Sequence, residues 1–421
     1  MKTKAIIIAL ALLPAATASA DNLKIEVPVE HSWWWNAPET PEITVNVTDT
    51  VGNQSPSTLR VALAPDLDKN NPVIVLTQEV SPAKGKTQKL KFSFPTLQPG
   101  FYSCTVSDGA NPGKQFWIGY EPQNVVSLPD SQPDIDAFWQ KANEELARVP
   151  VEYKLTEIAE KSGKKRKIYQ VDVLSLGGDT IKGYIALPVK KGKYPVQIYY
   201  NGYGAEPWMM GADDRPDWIE LNIFARGQGL DKPVNKYGDW IQYGLDNPDN
   251  YYYRGAFMDC VRALDFVETL PQADTANIFA EGGSQGGAFT LAAAALDPKK
   301  RLRAIAPYIP FLSDYPHYFT IVDWPAWPVK NKAAELGMSP EQMYRNLSYF
   351  DIKNLARRIE APVLMGVGLQ DPTCPPHINF SSFNLINSDK EFVIYPECGH
   401  TVMYDDWNPR REAFFNKHSA K

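Results

Sequence analysis

From Asp21 to Glu121 the apolar residues come in short runs: Ile43–Val47, Arg60–Leu63, Val73–Leu76, Leu90–Phe94 and Phe101–Val106. Clusters of Gly, Pro, Asn and Asp separate them, as in TDTVGNQSPS and PDLDKNNP. Short alternating or apolar runs bounded by turn residues predict strands, and several in succession predict a small all-β sandwich of immunoglobulin-like architecture. The Cys–Trp–Cys signature of antibody domains is missing, so the expectation concerns architecture alone.

A proline-spaced segment, Pro122 to Pro133, closes this region. In DIDAFWQKANEELARV, which follows, Ile135, Phe138, Trp139, Ala142 and Leu146 recur near the period of an amphipathic helix. Residues 122–150 therefore read as linker and helix. Beyond them the pattern changes. IYQVDVLSL and IKGYIALPV predict a hairpin around Gly177-Gly178, and PVQIYYNG and WIELNIFARGQG are strands that end in glycine turns. A helix is expected over Tyr253–Leu270. Further strands are expected at 278–283, Arg303–Tyr308, Ala361–Gly368 and Glu391–Tyr395, with helices after Ser284, near Ile378–Ile386 and from about Pro409. Strand alternating with helix implies a parallel sheet covered on both faces, so 151–421 is expected to be one α/β domain. Ligands of such sheets bind beyond the carboxyl ends of the strands.

The N-terminus adds an address. Lys2 and Lys4 precede the apolar run Ala5–Leu13, and Ala18-Ser19-Ala20 offers a small-x-small cleavage site. That is the layout of a signal peptide over 1–20, which predicts export to the periplasm or the medium. The apolar run is too short to span a bilayer, and no later stretch is long and apolar enough to do so. Composition fits a globular chain, with 44% hydrophobic and 22% charged residues among 421. The formal charge is −6, and removal of two leader lysines makes the chain more acidic still. This argues against nucleic acid and suits a neutral partner such as a sugar. Trp33-Trp34-Trp35 could stack on sugar rings or could pack a core, and large aromatics more often do the latter. Four cysteines are too few for a disulfide scaffold, although Cys374 and Cys398 fall on loops expected to converge. Two free thiols or a bridge would fit that placement.

The chemistry centres on IFAEGGSQGGAF, residues 278–289. Gly282-Gly283-Ser284-Gln285-Gly286 fits G-x-S-x-G between a strand and a helix, the context of a nucleophile elbow. There the turn raises a serine hydroxyl above the sheet, and the next residue's N–H stands at a helix N-terminus, ready for an oxyanion. A serine needs a base and a group to orient that base, and the elbow's fold supplies them in the order Ser, acid, His. Of the five histidines, His31 belongs to the first region and His418 is three residues from the C-terminus. His400 follows the last strand in YPECGHTVMY, and Asp371 ends the preceding strand in GVGLQDPTCPP. Ser284, Asp371 and His400 are the expected triad. His377 is the rival base, better placed to start a helix, and Asp405 and Asp406 are rival acids, better placed on the surface. The second oxyanion donor is expected in Asn201-Gly202-Tyr203-Gly204, at the N–H of Tyr203.

Taken together, NGYG, ARGQG, YYYRGAFMDCVRALDFV, GGSQGG, LSYFDIKN, GLQDPTCPP and CGH resemble the acetyl xylan esterase/cephalosporin C deacetylase family over about residues 133–421. The resemblance implies an α/β-hydrolase fold and a serine esterase that removes acetyl groups from small sugars. It implies Ser284 as nucleophile with Asp371 and His400, Tyr203 and Gln285 as oxyanion donors, and Arg226-Gly227-Gln228 as a structural motif beneath the site. It also implies a ring-shaped homo-oligomer. Three positions depart from the family: Asn201 replaces a usual His, Thr401 follows the histidine where Glu is usual, and the N-terminal region is additional and would obstruct that ring. The expected acyl transfer needs no metal and no organic cofactor. Tyr203, Trp208 and the insertion FLSDYPHYFTIVDWPAWPV are expected around the acyl group. The alternatives are another short-chain acyl esterase, a peptidase of the prolyl oligopeptidase type, or a sugar-binding protein without catalysis.

Overall fold

A computed structural model describes residues 23–52, 56–108 and 113–420. The expected signal peptide lies outside the described residues. The first eight strands are β1 Leu23–Glu26, β2 Trp34–Trp35, β3 Glu42–Asp49, β4 Ser57–Pro65, β5 Ile74–Val80, β6 Thr87–Ser93, β7 Gly100–Ser107 and β8 Lys114–Tyr120. They form a three-stranded sheet, ordered β1-β3-β6, and a five-stranded sheet, ordered β2-β8-β7-β4-β5. Val45 and Val47 of β3 and Val61 and Leu63 of β4 are buried in one core, as their alternation requires.

The three tryptophans pack. Trp33 lies on Phe116 with ring centroids 4.4 Å apart, and Trp33 and Trp35 are almost wholly buried. Trp34 packs instead on Phe380 and Phe392, at 5.2 and 5.4 Å, and so fastens the front sheets to the remainder.

Helix α1, Ile135–Ala147, buries Ile135, Trp139, Ala142 and Leu146, the stripe its periodicity predicts. The Trp139 ring rests on Phe257 at 5.6 Å, and its indole N–H donates to Tyr349 O at 3.0 Å. Full burial of one such ring contributes about 3 kcal/mol.

The second half is a nine-stranded sheet of β9 Tyr153–Glu157, β10 Arg166–Leu174, β11 Thr180–Pro188, β12 Tyr194–Tyr200, β13 Ile219–Ile223, β14 Ala273–Gly283, β15 Leu302–Tyr308, β16 Val363–Gly368 and β17 Lys390–Tyr395. Its order is β17-β16-β15-β14-β12-β13-β11-β10-β9. The strands from β13 through β12 to β17 pair in parallel, and β9, β10 and β11 join the edge antiparallel. Every residue of β13 and β16 is buried; β16 reads as a continuous apolar run, whereas β13 also buries Glu220, paired with Arg166, and Asn222, bonded to Asn201. The long helices are α2 Tyr252–Thr269 and α3 Gln285–Leu296. All twelve residues of α3 are buried, and its alanines allow close packing under the sheet centre. Four shorter helices follow: α4 Tyr315–Ile321, α5 Ala326–Glu335, α6 Pro340–Ser348 and α7 Ile352–Leu355. Then come α8 Pro376–Phe383 and α9 Tyr404–His418.

Two boundaries differ from expectation. β14 begins at Ala273, where the strand was expected from 278. The last helix begins at Tyr404, and Pro409 lies inside it. Burial of Trp407 draws the preceding turn into the helix and outweighs the hydrogen bond that proline cannot donate. None of the described helices is long and apolar enough to cross a membrane.

Candidate active site

Ser284 stands between β14 and α3 with φ 56° and ψ −122°. This is an unusual backbone for a residue with a Cβ, and the surroundings hold it there. Its N–H donates to Tyr308 O at 3.1 Å, and its carbonyl accepts the N–H groups of Phe311 and Ala288. The turn is so tight that a Cβ on Gly286 would come 2.1 Å from Tyr200 O. Glycine is therefore required at that place.

Asp371 follows β16 and is almost completely buried. One carboxylate oxygen, Oδ1, accepts the N–H groups of Thr373 and Cys374, each at 2.8 Å. The other, Oδ2, lies 2.8 Å from His400 Nδ1. His400 follows β17, and its side chain keeps 32% of its surface in solvent. Backbone bonds join the two loops, with Gln370 N donating to Cys398 O at 2.9 Å. A Cβ on Gly368 would strike Gly399 O at 2.1 Å, so the strand end must be glycine for the loops to meet.

The structure thus puts Asp371 and His400 in contact and places Ser284 above the same sheet edge. Ser284 stands beside Cys374, on the acid's loop. Burial and the nearby Asp371 push the Cys374 thiol well above its ordinary pKa, so it remains neutral. Cys374 and Cys398 are both free. Sequence reasoning found Cys374 only as half of a candidate bridge. Its place three residues after the acid was the available signal for a neighbour of the serine.

The expected oxyanion donors come from two elements. Gln285 opens α3, so its N–H has no carbonyl one turn back to bond. Tyr203 lies just past β12, and its N–H donates no hydrogen bond among the described residues. Gln228 links the two. Its Oε1 accepts the Gly204 N–H at 3.0 Å and Gln285 Nε2 at 3.1 Å, and its Nε2 donates to the Tyr252 hydroxyl at 2.8 Å. The Tyr203 hydroxyl donates to Asp239, and burial together with that carboxylate raises its pKa far above the phenol range. It is therefore a fixed donor and not a base.

Arg226 grips Asp259 of α2 through Nε at 2.9 Å and Nη2 at 2.7 Å, and Asp179 through Nη1 at 2.9 Å. Gly227 takes φ 69° to turn the chain from that clamp toward Gln228. Arg226 thus ties the loop after β13 to α2 and to Asp179. Asn201 is buried, donates to Asn222 and to Ile223 O, and accepts the Trp208 indole N–H at 2.9 Å. Trp208 is half exposed and stands edge-on to Tyr199 at 5.2 Å. Nearer the elbow, Trp324 stacks on Phe311 at 5.6 Å and meets Tyr203 at 5.6 Å. Of the rivals, His377 lies in α8, and Asp406 bonds Arg410 and the Tyr395 hydroxyl.

The family model for acetyl xylan esterase (AXE1) matches residues 123–418. The chain belongs to the acetyl xylan esterase family. It is therefore a carboxylic ester hydrolase. It is 30% identical to the acetyl esterase Axe7A of Xylanibacter ruminicola over 319 residues, which cover 72% of this chain and 71% of that one. Among solved structures it resembles the acetyl xylan esterase from Paenibacillus sp. R4, at 30% identity and a TM-score of 0.65, over 70% of this chain and 98% of that one. Acetyl xylan esterase 1 from Thermoanaerobacterium sp. matches at 28% identity and 0.64, with the same coverage. These likenesses carry the α/β-hydrolase fold to the nine-stranded sheet and its helices.

In this esterase Gln228 bonds the residue after Tyr203 and the side chain of Gln285. Gln228→Ala is expected to lower kcat on an acetyl ester by about 10-fold or more with KM nearly unchanged. Steady-state kinetics will check this, and an unaltered kcat would mean that the donors do not depend on Gln228.

Proposed function

We propose that the protein is an exported serine esterase that removes acetyl groups from acetylated xylo-oligosaccharides or similar small sugar esters. The observation that carries the proposal is the bonded Asp371–His400 pair at the carboxyl ends of β16 and β17, beside an elbow serine at the end of β14. Ser284 Oγ attacks the ester carbonyl. His400 Nε2 takes the proton and returns it to the departing sugar hydroxyl. Asp371 holds the imidazole with its proton on Nδ1 and stabilises the charged ring. The N–H groups of Gln285 and Tyr203 bind the oxyanion. Water, activated by the same imidazole, then releases acetate and frees Ser284.

The names of the matching proteins favour an acetyl group on xylan. The aromatic wall of Phe311, Trp324 and Tyr203 beside the serine supports a short acyl chain. The same reading removes residues 1–20 on export, takes 21–121 as a β-sandwich domain, 122–150 as linker and helix, and 151–421 as the catalytic domain. The decisive experiment measures acetate release from acetylated xylo-oligosaccharides beside butyryl esters of the same sugars. The acetyl ester is expected to be favoured by about 10-fold or more in kcat/KM, from two methylenes that the wall must reject. Equal or faster turnover of the butyryl ester would refute the deacetylase reading and leave a general short-chain esterase.

A further inference from the structure

A second cluster of titratable side chains lies away from Ser284, where the turn after β4 meets α4 and α8. His377 Nε2 is 3.3 Å from His317 Nδ1, His317 Nδ1 is 2.9 Å from Asp314 Oδ2, and His377 Nε2 is 3.8 Å from the same oxygen. Three donor atoms thus form a small triangle. A tetrahedral zinc ion with bonds of about 2.0–2.1 Å sets its ligand atoms about 3.3–3.4 Å apart. The three sides of the triangle bracket that value.

The surroundings aim these atoms inward. His377 Nδ1 lies 2.8 Å from Asp66 Oδ2, so the ring's proton is drawn to Nδ1 and the Nε2 lone pair faces the triangle. A histidine backed by a carboxylate in this way is the usual support of a zinc-bound imidazole. Asp314 is held by Lys353 Nζ on Oδ1, at 3.1 Å, and by the Ser127 hydroxyl on Oδ2. Asp66, Asp314 and His377 are buried, and His317 keeps 31% of its side chain in solvent, which leaves an entry path. Lys353 Nζ pairs with Asp314 and with the partly exposed Asp130, and Asp66 stands behind His377.

We propose that His317, His377 and Asp314 bind one divalent transition-metal ion, zinc by preference, with water as the fourth ligand and Asp66 orienting His377. Two imidazoles and one carboxylate suit zinc and disfavour calcium or magnesium, which take oxygen ligands. The ion joins α4 to α8, and Asp66, in the turn after β4, holds the His377 ring in place. Helix α4 in turn touches the acid's loop, where the Tyr318 hydroxyl donates to Thr373 O at 2.6 Å. The role is bracing, and the reacting atoms need no metal from it.

The test uses the full chain, stripped with a chelator, dialysed and titrated with zinc ion. One zinc per chain is expected to bind the wild type. His317→Ala, at a partly exposed position that the fold tolerates, is expected to abolish that binding. Asp66→Asn is expected to weaken it about 10- to 100-fold. Asp371, Cys374 and His400 also present ligand atoms within 4.8 Å of one another. Cys374→Ser is expected to leave zinc affinity unchanged and so separates the two clusters. Cobalt in place of zinc is expected to give the strong visible absorption of a tetrahedral ion. Zinc affinity equal in the wild type and His317→Ala, loss of binding in Cys374→Ser instead, or an octahedral cobalt spectrum would each overturn the proposal.

Discussion

Ser284→Ala is expected to lower turnover of an acetyl ester by about 10⁴-fold or more. The loss is chemical and leaves the fold intact. Alanine keeps the Cβ and the backbone at φ 56°, and the bonds from Ser284 N to Tyr308 O and from Phe311 N to Ser284 O are main-chain bonds that survive. The N–H of Gln285 also stays in place, so the variant retains whatever rate its oxyanion donors and binding supply over water. Cys374 does not substitute for the missing hydroxyl, because burial keeps its thiol neutral and only the thiolate is a strong nucleophile. Hydrolysis of a chromogenic acetate, with thermal melting alongside, provides the measurement. A variant that melts normally and keeps a rate within tenfold of the wild type would remove Ser284 from the mechanism.

The second large effect separates the charge of Asp371 from its shape. Asp371→Asn is expected to cost about 10⁴-fold in kcat at neutral pH while the protein stays folded. Oδ1 already accepts two backbone N–H groups, so the amide must keep its carbonyl there. Its NH₂ then faces His400 Nδ1 and donates to it. The imidazole is driven to the tautomer with its proton on Nε2, which cannot accept one from Ser284. Proton NMR of the imidazole, taken with kcat, checks both halves of the argument. An unchanged tautomer with full activity would show that Asp371 does not orient the base.

Most of the parallel sheet was legible because its strands are apolar on both faces and end in glycine turns. Strands β12 to β17 and helices α1 and α2 fall within a few residues of their expected places. What escaped was short or amphiphilic. β2 has two residues and β9 is mostly exposed, so neither carries a period that a reader could follow. The insertion after β15 was assigned no element from sequence, yet it forms α4 and the start of α5. At the site, Asp371 and His400 were legible because chain order and strand ends confine them. Gln228, Cys374 and Gln370 were not assigned their contacts, because each acts through partners far away in sequence. Gln228 reaches Gln285 across 57 positions, and Gln370 reaches Trp117 across 253.

The Gln370 contact has a consequence for any attempt to dissect the molecule. Its side-chain amide mimics a peptide group against β8, accepting from Trp117 N at 2.7 Å and donating to Trp117 O at 3.1 Å, one residue before Asp371. Close by, Trp34 shields Phe380 and Phe392 from water. An excised hydrolytic half would carry a bare aromatic seam and a Gln370 amide without its β8 partner, so trimming to the length of the smaller relatives is expected to cost solubility.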